Sequence, residues 1–143
     1  MTKIPLIFLF FAWVSGAMGQ KASPVSWKFD IKMISNAEVE VIATADLAKG
    51  WVTYSQFTDP EGPIPTEFII GDQKIDFDEK TKPIKELDEM FGVEVIKFKS
   101  QAIFVKKIPV PASGKVEGYV TYMTCDGSRC LPPVDANFSI NVK

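Results

Sequence analysis

The 143-residue chain contains no histidine and only two cysteines, and each scarcity excludes a class of function. Without histidine the chain lacks the most common metal ligand and the usual general base. Hydrolases that pair a serine or cysteine with histidine are therefore excluded. The formal net charge is −2, and the lysines and the single arginine are dispersed among aspartates and glutamates. Because no basic stripe forms, the sequence gives no indication of nucleic-acid binding.

Long apolar runs are also scarce, and the clearest one lies at the N-terminus. It extends from Ile4 to Val14, follows Lys3, and leads into small residues. The run is shorter than the ~20 residues that a membrane-spanning helix needs. An Ala-Met-Gly triplet ends at residue 19 and fits a small-x-small cleavage site, so we expect a signal peptide over residues 1–19 and a mature domain over 20–143. Export would place the cysteines where disulfides persist.

Helical periodicity is missing from the mature chain, whereas the alternation of strands is common. Val25–Met33 and Val134–Val142 alternate apolar and polar residues, which predicts strands with one buried face. Pro83–Met90 is interpreted as a short turn. Short strands separated by glycine and proline favour an all-β antiparallel sandwich. Further strands are predicted within Glu38–Val41, Gly50–Phe57, Thr66–Ile70, Val93–Val110 (two strands, broken near Ser100) and Val116–Thr124.

Both cysteines lie in one short segment, TCDGSRCLPP, which begins at Thr124. Asp126-Gly127 is a turn signal, so the two sulfurs are expected to face each other across a tight hairpin. The two prolines that end the segment donate no N–H group to a strand ladder, and regular pairing should be interrupted beside Cys130. These features predict a small, exposed disulfide at the end of a sheet.

A structural bridge is the default interpretation of a disulfide in a secreted sandwich. A bridge that closes about six residues stabilises the fold by only ~2 kcal/mol, against ~4.7 kcal/mol for about 100 residues. Redox exchange is therefore favoured over a purely structural role. One alternative is a secreted binding module whose hairpin disulfide shapes a recognition loop. Another is capture of Cu(I) by Cys125, Cys130 and Met123, because soft sulfur ligands suit that ion.

The charged neighbours of the two cysteines differ in sign. Arg129 adjoins Cys130, and a nearby cation favours a thiolate. Asp126 adjoins Cys125, and a nearby anion disfavours a thiolate. If the side chains follow sequence adjacency, Cys130 is the better nucleophile. The alternative is that both charges only solvate the loop.

Three stretches of the sequence carry a resemblance to a known family. They are GWVTYSQFTDPEGPIPT from Gly50, DEMFG from Asp88, and YMTCDGSRCLPP from Tyr122. In these stretches the mature chain resembles the periplasmic N-terminal domain of the thiol:disulfide interchange protein DsbD, within the disulfide bond corrector family. The stretches span most of the mature domain in the family's order.

The resemblance implies an immunoglobulin-like sandwich with a redox-active disulfide and no cofactor. The family's active cysteines match Cys125 and Cys130, and the second of them forms the mixed disulfide. The resemblance further implies a periplasmic monomer that takes electrons from one thioredoxin-like oxidoreductase and passes them to others, as in cytochrome c biogenesis. DsbD continues into a membrane electron carrier, whereas this sequence stops at Lys143. The domain is therefore expected either to act as a free-standing shuttle served by separate proteins, among them a membrane electron carrier, or to have lost the relay role.

The family also has a cap loop that shields the sulfurs until a partner docks. That loop matches Asp88, Glu89, Met90 and Phe91. Met90 or Phe91 is expected to cover the disulfide, and ordinary core packing of both is the alternative. Tyr54 and Tyr122 are candidates to line the site, with core positions again the alternative. The cysteine spacing is one residue shorter than in the best-known members.

Overall fold

The computed structural model describes residues 22–142, and the expected signal peptide lies outside them. Eleven strands and no helix occur within these described residues, so this part of the chain offers no helical segment that could cross a membrane. The strands are β1 (Val25–Met33), β2 (Glu38–Leu47), β3 (Val52–Tyr54), β4 (Glu67–Ile70), β5 (Gln73–Lys74), β6 (Asp78–Glu79), β7 (Ile84–Asp88), β8 (Val93–Lys99), β9 (Gln101–Pro109), β10 (Lys115–Cys125) and β11 (Cys130–Asn141).

The strands form two antiparallel sheets. The smaller sheet has the order β1-β2-β9-β6, and the larger has the order β5-β4-β10-β3-β8-β7 with β11 added to β10. Strands β4 and β3 pair with different parts of β10, at residues 118–121 and 124–125. The predicted all-β antiparallel sandwich is confirmed.

The main hydrophobic core lies between the two sheets. The alternation in β2 buries Val39, Val41, Ala43 and Ala45, as expected for a strand with one covered face. Aromatic rings fill the centre, where the ring of Trp27 lies 5.8 Å from that of Phe104 and 6.0 Å from that of Phe68. Large aromatic side chains supply much of the buried apolar area in such a core.

Two segments that connect strands test predictions made from the sequence, and one prediction is confirmed while the other is wrong. The break predicted near Ser100 is confirmed, because Ser100 adopts a positive φ of 64° where the chain passes from β8 in one sheet to β9 in the other. The short turn predicted over Pro83–Met90 is wrong, because Ile84–Asp88 forms edge strand β7 along β8. Edge strands are often short and charged, which conceals their alternation.

Candidate functional site

The cysteines close the hairpin that joins β10 to β11. Cys125 and Cys130 are paired opposite each other, with their Cα atoms 4.0 Å apart and their sulfurs joined in a disulfide. Inside the loop, the Asp126 N–H donates a hydrogen bond of 3.0 Å to the carbonyl oxygen of Arg129. The tight hairpin predicted from the sequence is therefore confirmed.

The two prolines shift the register beside the disulfide. Tyr122 pairs with Val134 and Thr124 with Leu131, so that a single residue of β10 lies opposite both prolines. This two-against-one arrangement is a β-bulge. The predicted interruption is confirmed, although β11 continues beyond it to Asn141. Strand β11 pairs only with β10 among the described strands, which is the kind of edge position that accepts proline.

The disulfide lies on the outer face of the larger sheet, away from the main core. Alternation along β10 points Tyr122 into the main core and Cys125 to the opposite face. There a second, smaller group of apolar side chains forms, which we call the outer cluster. Its members are Tyr54, Val95 and Cys125, with Val52, Phe91, Val93, Met123 and Cys130 packed around them.

Burial distinguishes the two cysteines. Cys125 is 1% exposed, whereas Cys130 is half-buried. The prediction of an exposed disulfide is therefore wrong for Cys125, because Tyr54 and Val95 pack around it. The bridge presents Cys130 as its more accessible side.

The carboxylate of Asp126 holds the hairpin loop together. Its Oδ1 accepts hydrogen bonds from the backbone N–H groups of Ser128 (3.0 Å) and Arg129 (2.9 Å) and from the Ser128 hydroxyl. These bonds, chiefly the two from the backbone, lower the pKa of Asp126 to about 2. The carboxylate is therefore ionised throughout the neutral range.

Arg129 is paired with groups other than the cysteines. Its Nε lies 3.6 Å from the Asp126 carboxylate, and its guanidinium sits over the Trp51 ring at 5.6 Å from the centroid. Because Arg129 and Asp126 pair with each other, their charges offset in part, and the preference for Cys130 as the nucleophile on electrostatic grounds stays a prediction. The difference in burial remains as the main asymmetry between the sulfurs.

The loop between β7 and β8 reaches the disulfide through a methionine. Met90 is 45% exposed, and its Sδ lies 3.8 Å from the Sγ of Cys130. The Phe91 ring instead meets the Tyr54 ring edge-on at 6.4 Å, within the outer cluster. Of the two cap candidates, Met90 is thus the one whose sulfur lies beside a cysteine sulfur, and Phe91 anchors the loop.

An aspartate also holds this second loop in shape. Asp88 Oδ1 accepts hydrogen bonds from the N–H groups of Met90 (2.9 Å) and Phe91 (3.3 Å), while Glu89 is exposed to solvent. Asp126 performs the same task in the cysteine hairpin. Each loop is therefore fixed internally, and side chains make the contact between them.

The two tyrosines proposed for the site separate. Tyr54 is 1% exposed and belongs to the outer cluster, whereas Tyr122 packs against Trp27 in the main core, with ring centroids 5.5 Å apart. Tyr122 therefore takes the core position that was its alternative, because alternation in β10 turns it to the face opposite Cys125. Burial, with a smaller contribution from the Asp88 charge, raises the pKa of Tyr54 to about 12.

We expect Tyr54 to remain protonated at pH 11 in the folded protein. A pKa raised on folding means that the folded state holds the proton more tightly. The associated stability is present below pH 10.0 and is lost as the pH rises towards 12. The difference in tyrosinate absorbance between wild type and Tyr54→Phe should therefore develop near pH 12, and the wild type should lose more stability between pH 10 and 12. Equal pH dependence of the two proteins would contradict this assignment.

A cavity of about 470 Å³ adjoins the buried side of the disulfide. Trp51, Tyr54, Met90 and Cys125 contribute to its wall, and Lys97, a buried cation paired with Glu86, lies in it. Sequence reasoning did not select Trp51 or Lys97. Trp51 belongs to one of the three stretches that carry the resemblance, and Lys97 follows Val93 and Val95 on the same face of β8.

The fold and the site define an immunoglobulin-like β-sandwich with a hairpin disulfide on the outer face of one sheet. The N-terminal periplasmic domain of ScsB from Proteus mirabilis is similar in structure, with a TM-score of 0.68, 18% identity, and coverage of 85% of this chain. This chain spans 47%, about half, of that chain's length. The N-terminal domain of Neisseria meningitidis DsbD, in the reduced form, is similar at a TM-score of 0.50 and 21% identity, covering 79% of this chain and 83% of that one.

These structural similarities confirm the predicted DsbD N-terminal-like fold. No protein-family model matches the sequence. No curated protein matches it either. The fold therefore provides the link to known proteins.

Proposed function

We propose that this chain is a thiol–disulfide exchange domain that passes reducing equivalents between thioredoxin-like partners through the Cys125–Cys130 disulfide. The position of the disulfide is the observation that carries this proposal. It joins two residues that the β10–β11 ladder already holds together, and it does not connect the two sheets. Such a bridge adds only ~2 kcal/mol of stability. The fold shared with the N-terminal domains of ScsB and DsbD supports the same function.

The exchange proceeds in two steps. A partner thiolate attacks the Sγ of Cys130, a mixed disulfide forms, and Cys125 leaves as a thiolate. A second thiol of the partner then attacks the partner's own sulfur, which releases Cys130 and leaves the domain as a dithiol. Two electrons have passed to the domain, and the reverse sequence delivers them to the next partner. The greater accessibility of Cys130 supports attack at that sulfur.

Location and partners follow from the same proposal. The domain operates in the periplasm as a monomer, after removal of the signal peptide over residues 1–19. Its partners are thioredoxin-like oxidoreductases. The periplasmic setting draws support from the ScsB domain, which is itself described as periplasmic.

A redox titration tests the proposal. The disulfide should equilibrate with glutathione or dithiothreitol buffers at a potential above about −300 mV, because structural disulfides lie below that value. The burial of Cys125 favours the second candidate, a binding module whose disulfide only shapes the hairpin. A potential below about −300 mV would support that candidate and remove the exchange function.

The contact between Met90 and Cys130 predicts that the loop slows attack on the disulfide. Met90→Ala should speed reduction by dithiothreitol, on the order of threefold, because access to the sulfur contributes to the exchange rate. Met33→Ala is the matched control, since Met33 is similarly exposed at 40% and lies in β1 of the other sheet. Stopped-flow measurement of reduction would compare them, and equal rates in the two folded variants would remove the cap from the mechanism.

A further inference from the structure

The contact of Met90 with the disulfide brings three sulfur atoms together. The Sγ atoms of Cys125 and Cys130 are bonded to each other, and the Sδ of Met90 lies 3.8 Å from the Sγ of Cys130. Reduction would release two thiols beside this thioether. Ligands at about 2.3 Å around one metal ion in a trigonal arrangement lie ~4 Å from each other. The spacing between Met90 and Cys130 already fits that requirement.

We propose that the reduced domain binds one Cu(I) ion through Cys125, Cys130 and Met90. Binding forms three Cu–S bonds, and the two thiols release two protons, with no change in the oxidation state of copper or sulfur. Thiolates and thioethers are the soft ligands that select Cu(I), and oxygen ligands suit harder cations. The inference rests on the proposed function only in requiring that the disulfide can be reduced.

The surroundings of the three sulfurs favour a soft, monovalent ion. Cys125 is buried among apolar side chains of the outer cluster, which limits the access of water to the site. Two thiolates and one Cu(I) carry a net charge of −1. The cavity beside Cys125 is lined by Lys49, Lys97 and Lys99 and by Asp88 and Asp126, and Lys97 is paired with Glu86. These charges balance, so the lining does not oppose a complex of small net charge.

Met123 provides a matched control for Met90. It belongs to the same outer cluster, but its Sδ accepts a hydrogen bond of 3.5 Å from the backbone N–H of Ile64. The sulfur contact therefore assigns the third ligand to Met90 and not to Met123, which the sequence had suggested. Leucine can replace either methionine at similar volume, so both variants should fold.

Anaerobic competition with the Cu(I)–bathocuproine disulfonate complex tests this site. The reduced chain should withdraw one Cu(I) per molecule, and the oxidised chain should withdraw none. Met90→Leu should weaken binding by at least about tenfold, the scale of effect that groups supporting a metal site have. Met123→Leu should stay within about twofold of wild type, since its sulfur is not a ligand. Circular dichroism would establish that each variant is folded.

Several results would overturn the site. In the first two, the reduced chain withdraws no copper, or the oxidised chain withdraws as much as the reduced chain. In the other two, Met90→Leu binds Cu(I) as tightly as wild type, or Met123→Leu loses as much Cu(I) affinity as Met90→Leu. The test does not depend on electron exchange with a partner protein. Dithiothreitol reduces the disulfide to the dithiol and is then removed before the assay. Copper binding by a chain whose disulfide potential lies below about −300 mV would retain this inference and reject the exchange function.

Discussion

Cys125→Ser should trap a thioredoxin-like partner as a stable mixed disulfide, whereas Cys130→Ser should trap almost none. The first variant leaves the half-buried Cys130 as its thiol, and the second leaves Cys125, which is 1% exposed and packed among Tyr54 and Val95. Exchange requires direct approach of one sulfur to another, so burial prevents it. Both variants should remain folded, because the short loop closure contributes only ~2 kcal/mol.

Non-reducing electrophoresis measures the trapping. Each variant would be incubated with a partner that retains only its nucleophilic cysteine, activated beforehand with a chromogenic disulfide. Denaturing the Cys130→Ser variant first should restore reaction of Cys125 with the free reagent, which separates burial from loss of the thiol. Equal trapping by the two folded variants would remove the asymmetry. No trapping by either variant, with both folded and their thiols accessible, would favour the binding module.

Gly118→Ala should destabilise the fold by about 3 kcal/mol or more, although the substitution adds only one methyl group. A Cβ atom at this position of β10 would lie 2.0 Å from the carbonyl oxygen of Ile69 and 3.1 Å from the Cα of Ile70. Both atoms belong to the backbone of β4, so no side-chain rotation can relieve the overlap. The pairing of Gly118 with Ile70 would have to open.

Gly114→Ala separates this steric effect from the general cost of replacing glycine. Gly114 has a positive φ of 72°, but a Cβ atom there would have nothing within 4 Å. It should lose only about 1 kcal/mol, from backbone strain. Urea unfolding followed by tryptophan fluorescence gives both free energies of unfolding. A loss in Gly118→Ala no greater than in Gly114→Ala would show that β4 does not approach β10 this closely.

The strands were predictable wherever one face is buried and the other is wet. Alternation in Val25–Met33 and at the C-terminus identified β1 and β11 because most of their exposed residues are polar, with Met33 and Val134 as exceptions. Alternation did not identify strand β7, because its residues 84–88 lie at a sheet edge and Glu86 forms an ion pair with Lys97. Its pattern reflects an ion pair on the outer face, which a local reading of hydropathy does not detect.

The site was predictable as a hairpin but not as a buried cluster. The turn residues and prolines determine local backbone geometry, so the opposed cysteines and the interrupted ladder followed from the sequence. The outer cluster depends on which residues of β3, β8 and β10 share a face. Strand β10 carries apolar residues on both faces near Tyr122 and Met123, so alternation alone assigned neither. For the same reason the choice between the adjacent Met90 and Phe91 required tertiary contacts.

The hydrogen bonds within the β7–β8 loop and within the cysteine hairpin bear on how the disulfide would become accessible to a partner. Asp88 and Asp126 each hold their own loop, and the sulfur contact across the gap is made by the single flexible side chain of Met90. An exposed methionine changes rotamer within picoseconds to nanoseconds, whereas loops open more slowly. If Met90 acts as the proposed cap, it therefore covers and uncovers the sulfur much faster than a partner arrives. It would lower the rate of attack by the fraction of time that it covers Cys130, and it would impose no waiting time on a partner that has already docked.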